Sequence, residues 1–282
     1  MANEVDDEAT QSFLAPEVTA HYADGYEAQR LTGRRDSIEF LRTKELALRY
    51  LPPAPAVILD VGGGPGAYAL WLARLGYTVH LVDALPLHVE LAQQASQAQP
   101  DAPLASATLG DARQLAQPDA SADATLLLGP LYHLTERDDR VQALREARRV
   151  TRPGGVVLAA AISRYASLID CILNGRFADP AAADIVRQDI ADGQHRNPTN
   201  HPNYFTTTYF HHPSELAEEM ADAGLRHIAT LAIEGLAWLA TQRDDWNDPH
   251  QRERILGALR LTEQEPTILG ATSHLMAVAQ VA

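Results

Sequence analysis

Four glycines crowd positions 62, 63, 64 and 66, directly behind the apolar run of the stretch ILDVGGGPGAYA (58–69). Glycine carries no Cβ and tolerates left-handed φ, so such a loop can turn sharply and bring its backbone against a ligand. The spacing satisfies two templates. Gly62, Gly64 and Ala67 meet G-x-G-x-x-G/A, the form of a dinucleotide pyrophosphate loop. Asp60, Gly62, Gly64 and Gly66 meet the tighter D-x-G-x-G-x-G, which suits a sulfonium cofactor. Asp83 stands about twenty residues past the first glycine, where an acid can accept both hydroxyls of a ribose. It does not separate the two templates, since both cofactors carry a ribose. Asp111, in LGDARQL, can accept from the exocyclic amine of adenine, with the Ala112 amide facing the ring.

These residues need a scaffold that gathers strand ends. AVILDV (56–61), TVHLVD (78–83), SATLGD (106–111), ADATLLLG (122–129) and VVLAAAI (156–162) read as strands. Between them, Tyr68–Leu75, a segment opened by Pro86 and running to about Ala98, and Asp138–Val150 read as helices. That alternation predicts an α/β fold: a doubly wound, mostly parallel sheet with helices on both faces. Ligands of such sheets sit beyond the carboxyl ends of the strands. Residues 163–212 show no clear strand. A helix over 213–223, a strand within 225–235, a helix near 250–260 and a last strand at 274–281 follow, which predicts an antiparallel C-terminal edge. The division expected is a helical lid segment over 1–50, a cofactor-binding core over 51–162, a substrate-side cover over 163–212, and completion of the sheet by 213–282.

The chain has 282 residues, 46% of them hydrophobic, enough for one large core. Its net charge of −14 disfavours phosphate backbones and anionic lipid, so neither a nucleic acid nor a membrane is expected as partner. Cys171 is the single cysteine, and no disulfide framework or cysteine zinc site is available. The acidic start MANEVDDEATQS is no secretory signal, and no apolar run reaches the length of about eighteen residues of a membrane helix. A cytoplasmic monomer or homodimer is expected, with no metal.

Taken together, DVGGGPG, the strand-end acid of VHLVDALP, LGDARQL, LLLGPLYHL and REARRVTRPGGVVLAAAI resemble, in order and spacing, a class I S-adenosylmethionine-dependent methyltransferase. The likeness is to the small-molecule type 11 group, similar to enzymes of ubiquinone and menaquinone biosynthesis, and covers residues 56–162. It implies a Rossmann-like seven-stranded sheet in the order 3-2-1-4-5-7-6 with its last strand antiparallel. It also implies S-adenosyl-L-methionine as cofactor, S-adenosyl-L-homocysteine as product and a small-molecule methyl acceptor. By position, Gly62, Gly63, Gly64 and Gly66 would line the methionine portion, with Asp60 bracing the loop. Asp83 would bind ribose, Asp111 and Ala112 adenine, and Ala84 and Leu85 would flank the ring. Gly129, Pro130 and Leu131 would border the methyl group. The run Gly129-Pro130-Leu131-Tyr132 lacks the Asn/Asp-Pro-Pro-aromatic pattern of enzymes that methylate amines of nucleic acids.

Methyl transfer mainly requires reactants held in line and shielded from water, and a base only for an acceptor with a tightly held proton. His133 is the candidate base, with Tyr132 as a wall of the pocket. Arg42 or Arg30 would pair with the cofactor carboxylate. Tyr22 of the lid segment (which also holds Tyr26), Arg164 past the fifth strand, and Tyr204 and Tyr209 of the aromatic cover are candidates for the acceptor pocket. Two other readings stay open: a non-catalytic S-adenosylmethionine-binding protein, and an NAD-dependent oxidoreductase. The latter lacks a Tyr-x-x-x-Lys relay, since Lys44 is the single lysine and precedes the glycine loop.

Overall fold

The computed structural model describes residues 13–22, 37–199, 201, 204–241 and 244–282. Tyr26 and Arg30 lie outside them. Helices α1 (Pro16–Tyr22) and α2 (Ile38–Tyr50) precede the sheet. Strands β1 (Val57–Val61), β2 (Thr78–Asp83), β3 (Ser106–Leu109), β4 (Ala122–Leu127) and β5 (Thr151–Ser163) are mutually parallel. Helices α3 (Ala67–Arg74) and α4 (Pro86–Gln97) follow β1 and β2, while the single turn α5 (Pro130–His133) and α6 (Arg137–Val150) join β4 to β5.

Side chains alternate across the strands, so each face feeds its own core. Leu59, Val61, Leu127, Val157 and Ala159 pack with Leu144 of α6 on one face. Ile58, Leu81, Leu126 and Leu158 pack with Leu46 of α2 and Leu72 of α3 on the other. Strand β1 pairs with β2 on one side and β4 on the other, so the chain reverses its direction of travel there and leaves a crevice at the carboxyl ends.

After β5 come α7 (Ala166–Leu173), α8 (Pro180–Asp192), the short strands β6 (Gln194–His195) and β7 (Thr208–His211), α9 (Pro213–Asp222), β8 (Arg226–Ala232), α10 (Pro249–Thr262) and β9 (His274–Gln280). Strand β9 runs antiparallel between β5 and β8, giving the order β3-β2-β1-β4-β5-β9-β8. The last strand is therefore antiparallel and lies one in from the edge.

The expectation of no strand in 163–212 is corrected. Strand β7 extends the sheet parallel to the tip of β5, at Ile162 and Ser163, and pairs with β6. Its sequence, TYFH, buries Thr208 and His211, and polar side chains of this kind hide a strand from a hydrophobic pattern. His211 is held by Glu219 of α9 at 3.2 Å, and Glu219 is held in turn by Arg140 of α6.

Candidate active site

The carboxyl ends of β1, β2, β4 and β5 open onto a cavity of about 980 Å³, lined on its far side by α1 and the 163–212 segment. Small-molecule sites span roughly 300–1,000 Å³, so this one has room for a cofactor and a second ligand together.

The glycine loop forms its floor. Gly62, Gly64 and Gly66 all have positive φ. A Cβ on Gly62 would lie 2.6 Å from Pro130, and one on Gly63 would lie 2.8 Å from the Asp60 carboxylate. Those two glycines are demanded by the protein's own packing. At Gly64 the same Cβ would meet only the His88 ring, at 4.0 Å, so there the backbone is open to a ligand. Gly66 caps α3 and does not line the cavity, which corrects its expected cofactor contact.

Asp60 is fully buried at the cavity wall, and among the described residues neither carboxylate oxygen has a close hydrogen-bond partner. Burial pushes its pKa up to about 7, the Asp83 charge adding to the rise and the Ala69 amide opposing it. Asp83 is engaged differently. Its Oδ2 accepts from the Gly64 amide at 2.8 Å, and its Oδ1 from the Leu85 amide at 2.9 Å and His88 Nδ1 at 3.1 Å. A carboxylate offers about four lone-pair sites, so one remains. With Nδ1–H donating, the buried His88 Nε2 is left as an unpartnered acceptor at the same wall. The sequence reading missed His88; its place in the first turn of α4 carries no signal of its own.

Asp111 also lines the cavity, but Arg113 grips both its oxygens, through Nε at 3.0 Å and Nη2 at 2.7 Å. The Arg113 amide adds a further bond at 2.8 Å, so little acceptor capacity is left for an adenine amine. Ala84, Leu85, Ala112 and Gly129 line the same space. Leu131 does not. It is fully buried in the core with Leu59 and Leu127, and Pro130, Tyr132 and His133 present the lining face of that turn.

His133 accepts or donates at 2.9 Å to the Tyr22 hydroxyl, which brings lid and turn together. Burial, with the nearby His21, pulls its pKa down to about 3, so the ring is neutral at physiological pH. A base whose conjugate acid is that strong takes up protons poorly, and the expectation that His133 is the general base is corrected.

Three further expectations are corrected by contacts within the protein, two of them ion pairs. Arg42 is fully buried, pairs with Glu263 and Glu45, donates to the Ile233 carbonyl and does not line the cavity. Arg164 bonds Glu215 at 2.8 Å and the Phe210 carbonyl at 2.8 Å. The Tyr209 ring lies 3.7 Å under the Arg140 guanidinium and does not line the cavity. Tyr22, Tyr132 and Tyr204 do line it, Tyr204 with its hydroxyl on Asp179.

Helix α1 bridges the mouth. Arg113 Nη2 donates to the Phe13 carbonyl at 3.2 Å, and Thr207 Oγ1 donates to the Glu17 carboxylate at 2.9 Å. Val18 and Tyr22 pack on Leu85, and His21 meets Phe205 edge-on at 5.3 Å.

The profile of the Methyltransf_11 family, described as a methyltransferase domain, matches residues 59–159. The chain is 32% identical over 142 residues to the methyltransferase GfsG of Streptomyces halstedii, covering 50% of this chain and 47% of the relative. It is 33% identical over 127 residues to the ubiquinone/menaquinone biosynthesis C-methyltransferase UbiE of Caulobacter sp. (strain K31), covering 42% of this chain and 49% of the relative. Residues 59–159 are a class I S-adenosylmethionine-dependent methyltransferase domain of the type 11 group. The chain spans about half the length of the curated relatives it matches. The fold extends beyond the matched core: a solved S-adenosylmethionine-dependent methyltransferase of Methanosarcina mazei aligns with a TM-score of 0.56 at 17% identity, covering 83% of this chain and 96% of that one. The methyltransferase domain supplies the glycine loop, Asp83, Asp111 and α5, while α1 and the 163–212 segment, which line the far side of the cavity, lie outside it. No helix among the described residues is long and apolar enough to cross a membrane.

Proposed function

We propose that this chain transfers a methyl group from S-adenosylmethionine to a small-molecule acceptor held beneath α1 and the 163–212 cover. The observation that carries the reading is Asp60: a buried carboxylate with both oxygens unpartnered, at the wall of a cavity floored by the glycine loop. Such a group is costly without a cation, and the ammonium of the cofactor's methionine end is the cation this domain class brings. When bound, the cofactor supplies an electrophilic methyl group on a sulfonium leaving group.

The chain's own residues hold and shield. Asp60 receives the ammonium. Asp83, with one acceptor site left, takes one ribose hydroxyl, and His88 Nε2 takes the other. Ala84 and Leu85 give the adenine an apolar wall, and Gly129 and Pro130 border the reacting end. Helix α1, tied at its N-terminal end to Arg113, Thr206 and Thr207 and at its last residue, Tyr22, to His133, shields the crevice from water. The −14 net charge favours a small molecule over nucleic acid as acceptor.

Calorimetric titration tests this. S-adenosylmethionine and S-adenosylhomocysteine are expected to bind and NAD to leave no heat. A folded chain that binds neither sulfur ligand ends the proposal. Asp83→Ala should weaken S-adenosylhomocysteine roughly 100-fold, because hydrogen bonds to a charged group contribute about 1.5–3 kcal/mol each and the variant also frees the Gly64 amide. His88→Leu removes one neutral acceptor and should cost about tenfold in the same titration. Unchanged affinity would remove His88 from the ribose site.

A further inference from the structure

We infer that Arg176 is the anion-binding residue of an acceptor subsite, and hence that the methyl acceptor is a small carboxylic acid with an apolar body, anchored there by its carboxylate. This rests on the methyltransferase reading and deepens it.

Helix α7 turns one face to the cavity. Ala166, Ser167, Asp170 and Cys171 line it, at helical spacings of three and four residues. The helix is capped at Asn174, and Gly175 follows at φ 63°, the left-handed conformation that stops a helix and reverses the chain. That reversal folds Arg176 back along α7, where it too lines the cavity. Its Nε lies 2.8 Å from Oδ2 of Asp170, but out of line for a hydrogen bond. Among the described residues no hydrogen bond reaches the guanidinium.

Arg176 differs in this from other arginines of the fold. Arg42, Arg113, Arg140 and Arg164 each hold a carboxylate through aligned hydrogen bonds. Among the described residues Arg176 is also the single arginine or lysine that lines the cavity. A guanidinium carries five donors in a planar fork that fits a carboxylate two bonds at a time. Asp170 does not fill that role. Its Oδ1 accepts from Asn174 Nδ2 at 2.7 Å, and its side chain is 47% exposed, so water screens its charge. One turn before it, the Ser167 hydroxyl is buried at the same wall without a hydrogen bond, which is costly unless a ligand supplies the partner.

The subsite is on the acceptor side. Helix α7 follows β5, which lies three strands from the Asp83 end of β2, about 14 Å at the usual strand spacing. The glycine loop and Gly129 lie between, at the ends of β1 and β4. Ala182, Ile185 and Phe205 line the cavity as well and offer apolar surface to the acceptor body. The neighbouring Asp170 and the −14 net charge oppose a doubly charged ligand, which favours a carboxylate over a phosphate.

The full chain, labelled with 15N-arginine and its Arg176 Nε–H signal assigned with Arg176→Gln, is titrated with benzoate, cinnamate and hexanoate and with the amide of each. Every titration is run on the free chain and on the chain saturated with S-adenosylhomocysteine. At least one acid should shift the Arg176 signal at millimolar concentration in both forms. Its amide should bind about tenfold or more weakly, the cost of losing charged hydrogen bonds. Arg176→Gln should abolish that preference and leave S-adenosylhomocysteine affinity unchanged. Arg176→Lys, which keeps the charge without the fork, should retain part of the preference, and Asp170→Asn should retain all of it. Acids and amides bound alike, or no acid shifting the signal, overturns the proposal. So does displacement of the acid by S-adenosylhomocysteine, or loss of S-adenosylhomocysteine affinity in Arg176→Gln, either of which gives Arg176 to the cofactor carboxylate. Binding of hexylamine in place of the acids, lost in Asp170→Asn, gives the wall to a cation and overturns it too. The titrations of the free chain need no cofactor, so a parent chain that fails to bind S-adenosylhomocysteine sinks the methyltransferase reading separately.

Discussion

Asp60→Asn is expected to make the free chain more stable and its cofactor complex weaker. In the folded chain the Asp60 pKa is raised from 3.8 to about 7. Below pH 4 the carboxyl is protonated in both folded and unfolded states, and the shift costs nothing. Between pH 4 and 7 the unfolded chain loses the proton while the folded one keeps it, so stability falls as pH rises. Above pH 7 the full cost is present, on the order of 4 kcal/mol at about 1.36 kcal/mol per unit. Asn is nearly isosteric and cannot ionise. The midpoint of thermal unfolding for Asp60→Asn should therefore lose this downward slope between pH 4 and 7 and lie above the parent at pH 8. An ammonium beside Asp60 favours its ionised form, so cofactor binding below pH 7 should release a proton. Titrations at pH 6 in buffers of different ionisation enthalpy would show the release in the parent and its loss in Asp60→Asn. Parallel melting curves for the two chains would contradict the buried-carboxylate account.

Arg140→Met should be the most damaging single change outside the cavity, at about 3–5 kcal/mol. Arg140 and Glu219 are almost fully buried and bonded through Nη2 at 2.7 Å and Nε at 3.0 Å. Nη1 donates to the carbonyls of Leu134 at 3.0 Å and Thr135 at 2.8 Å, directly behind His133. Removing the guanidinium strands a carboxylate in the core and frees the end of the turn that borders the cavity. His211, on β7, loses the order of its partner at the same time. Urea denaturation should show the loss as a lower midpoint. The double variant Arg140→Met with Glu219→Met should recover most of it, because a buried ion pair is often replaceable by packed apolar side chains while a lone buried charge is not. A double variant as unstable as the single would mean that the carbonyl contacts, and not the orphaned Glu219, set the cost.

Much of the fold was legible because it is built from local units. Strands β1, β2 and β4 are apolar runs ended by Gly or Asp, and the helices α3 and α4 between them carry their own stop or start in Gly76 and Pro86. Strand β7 was not, because its buried Thr208 and His211 are satisfied by hydrogen bonds, to the Thr206 carbonyl and the Glu219 carboxylate, and not by apolar neighbours. In the site, Asp60, Asp83, Asp111 and Gly129 lie at strand ends, and in a doubly wound sheet that position alone carries a residue to the crevice. Leu131 shows the limit of position. It sits two residues past Gly129, yet the single turn of α5 rotates it into the core.

What the amino-acid order determined by itself was the α/β sheet, the glycine loop and the acids that border it, since each depends on contacts within one strand–loop–helix unit. What the tertiary structure decided was the use made of the long charged side chains and the histidines. Arg42 turns to Glu263, 221 residues away; Arg164 turns to Glu215; and His274 is oriented by Glu234, 40 residues away. An arginine reaches a ligand or a carboxylate equally well, and a buried charge must find a partner. Which partner is within reach is set by the packing of elements far apart in the chain, and no local pattern records it.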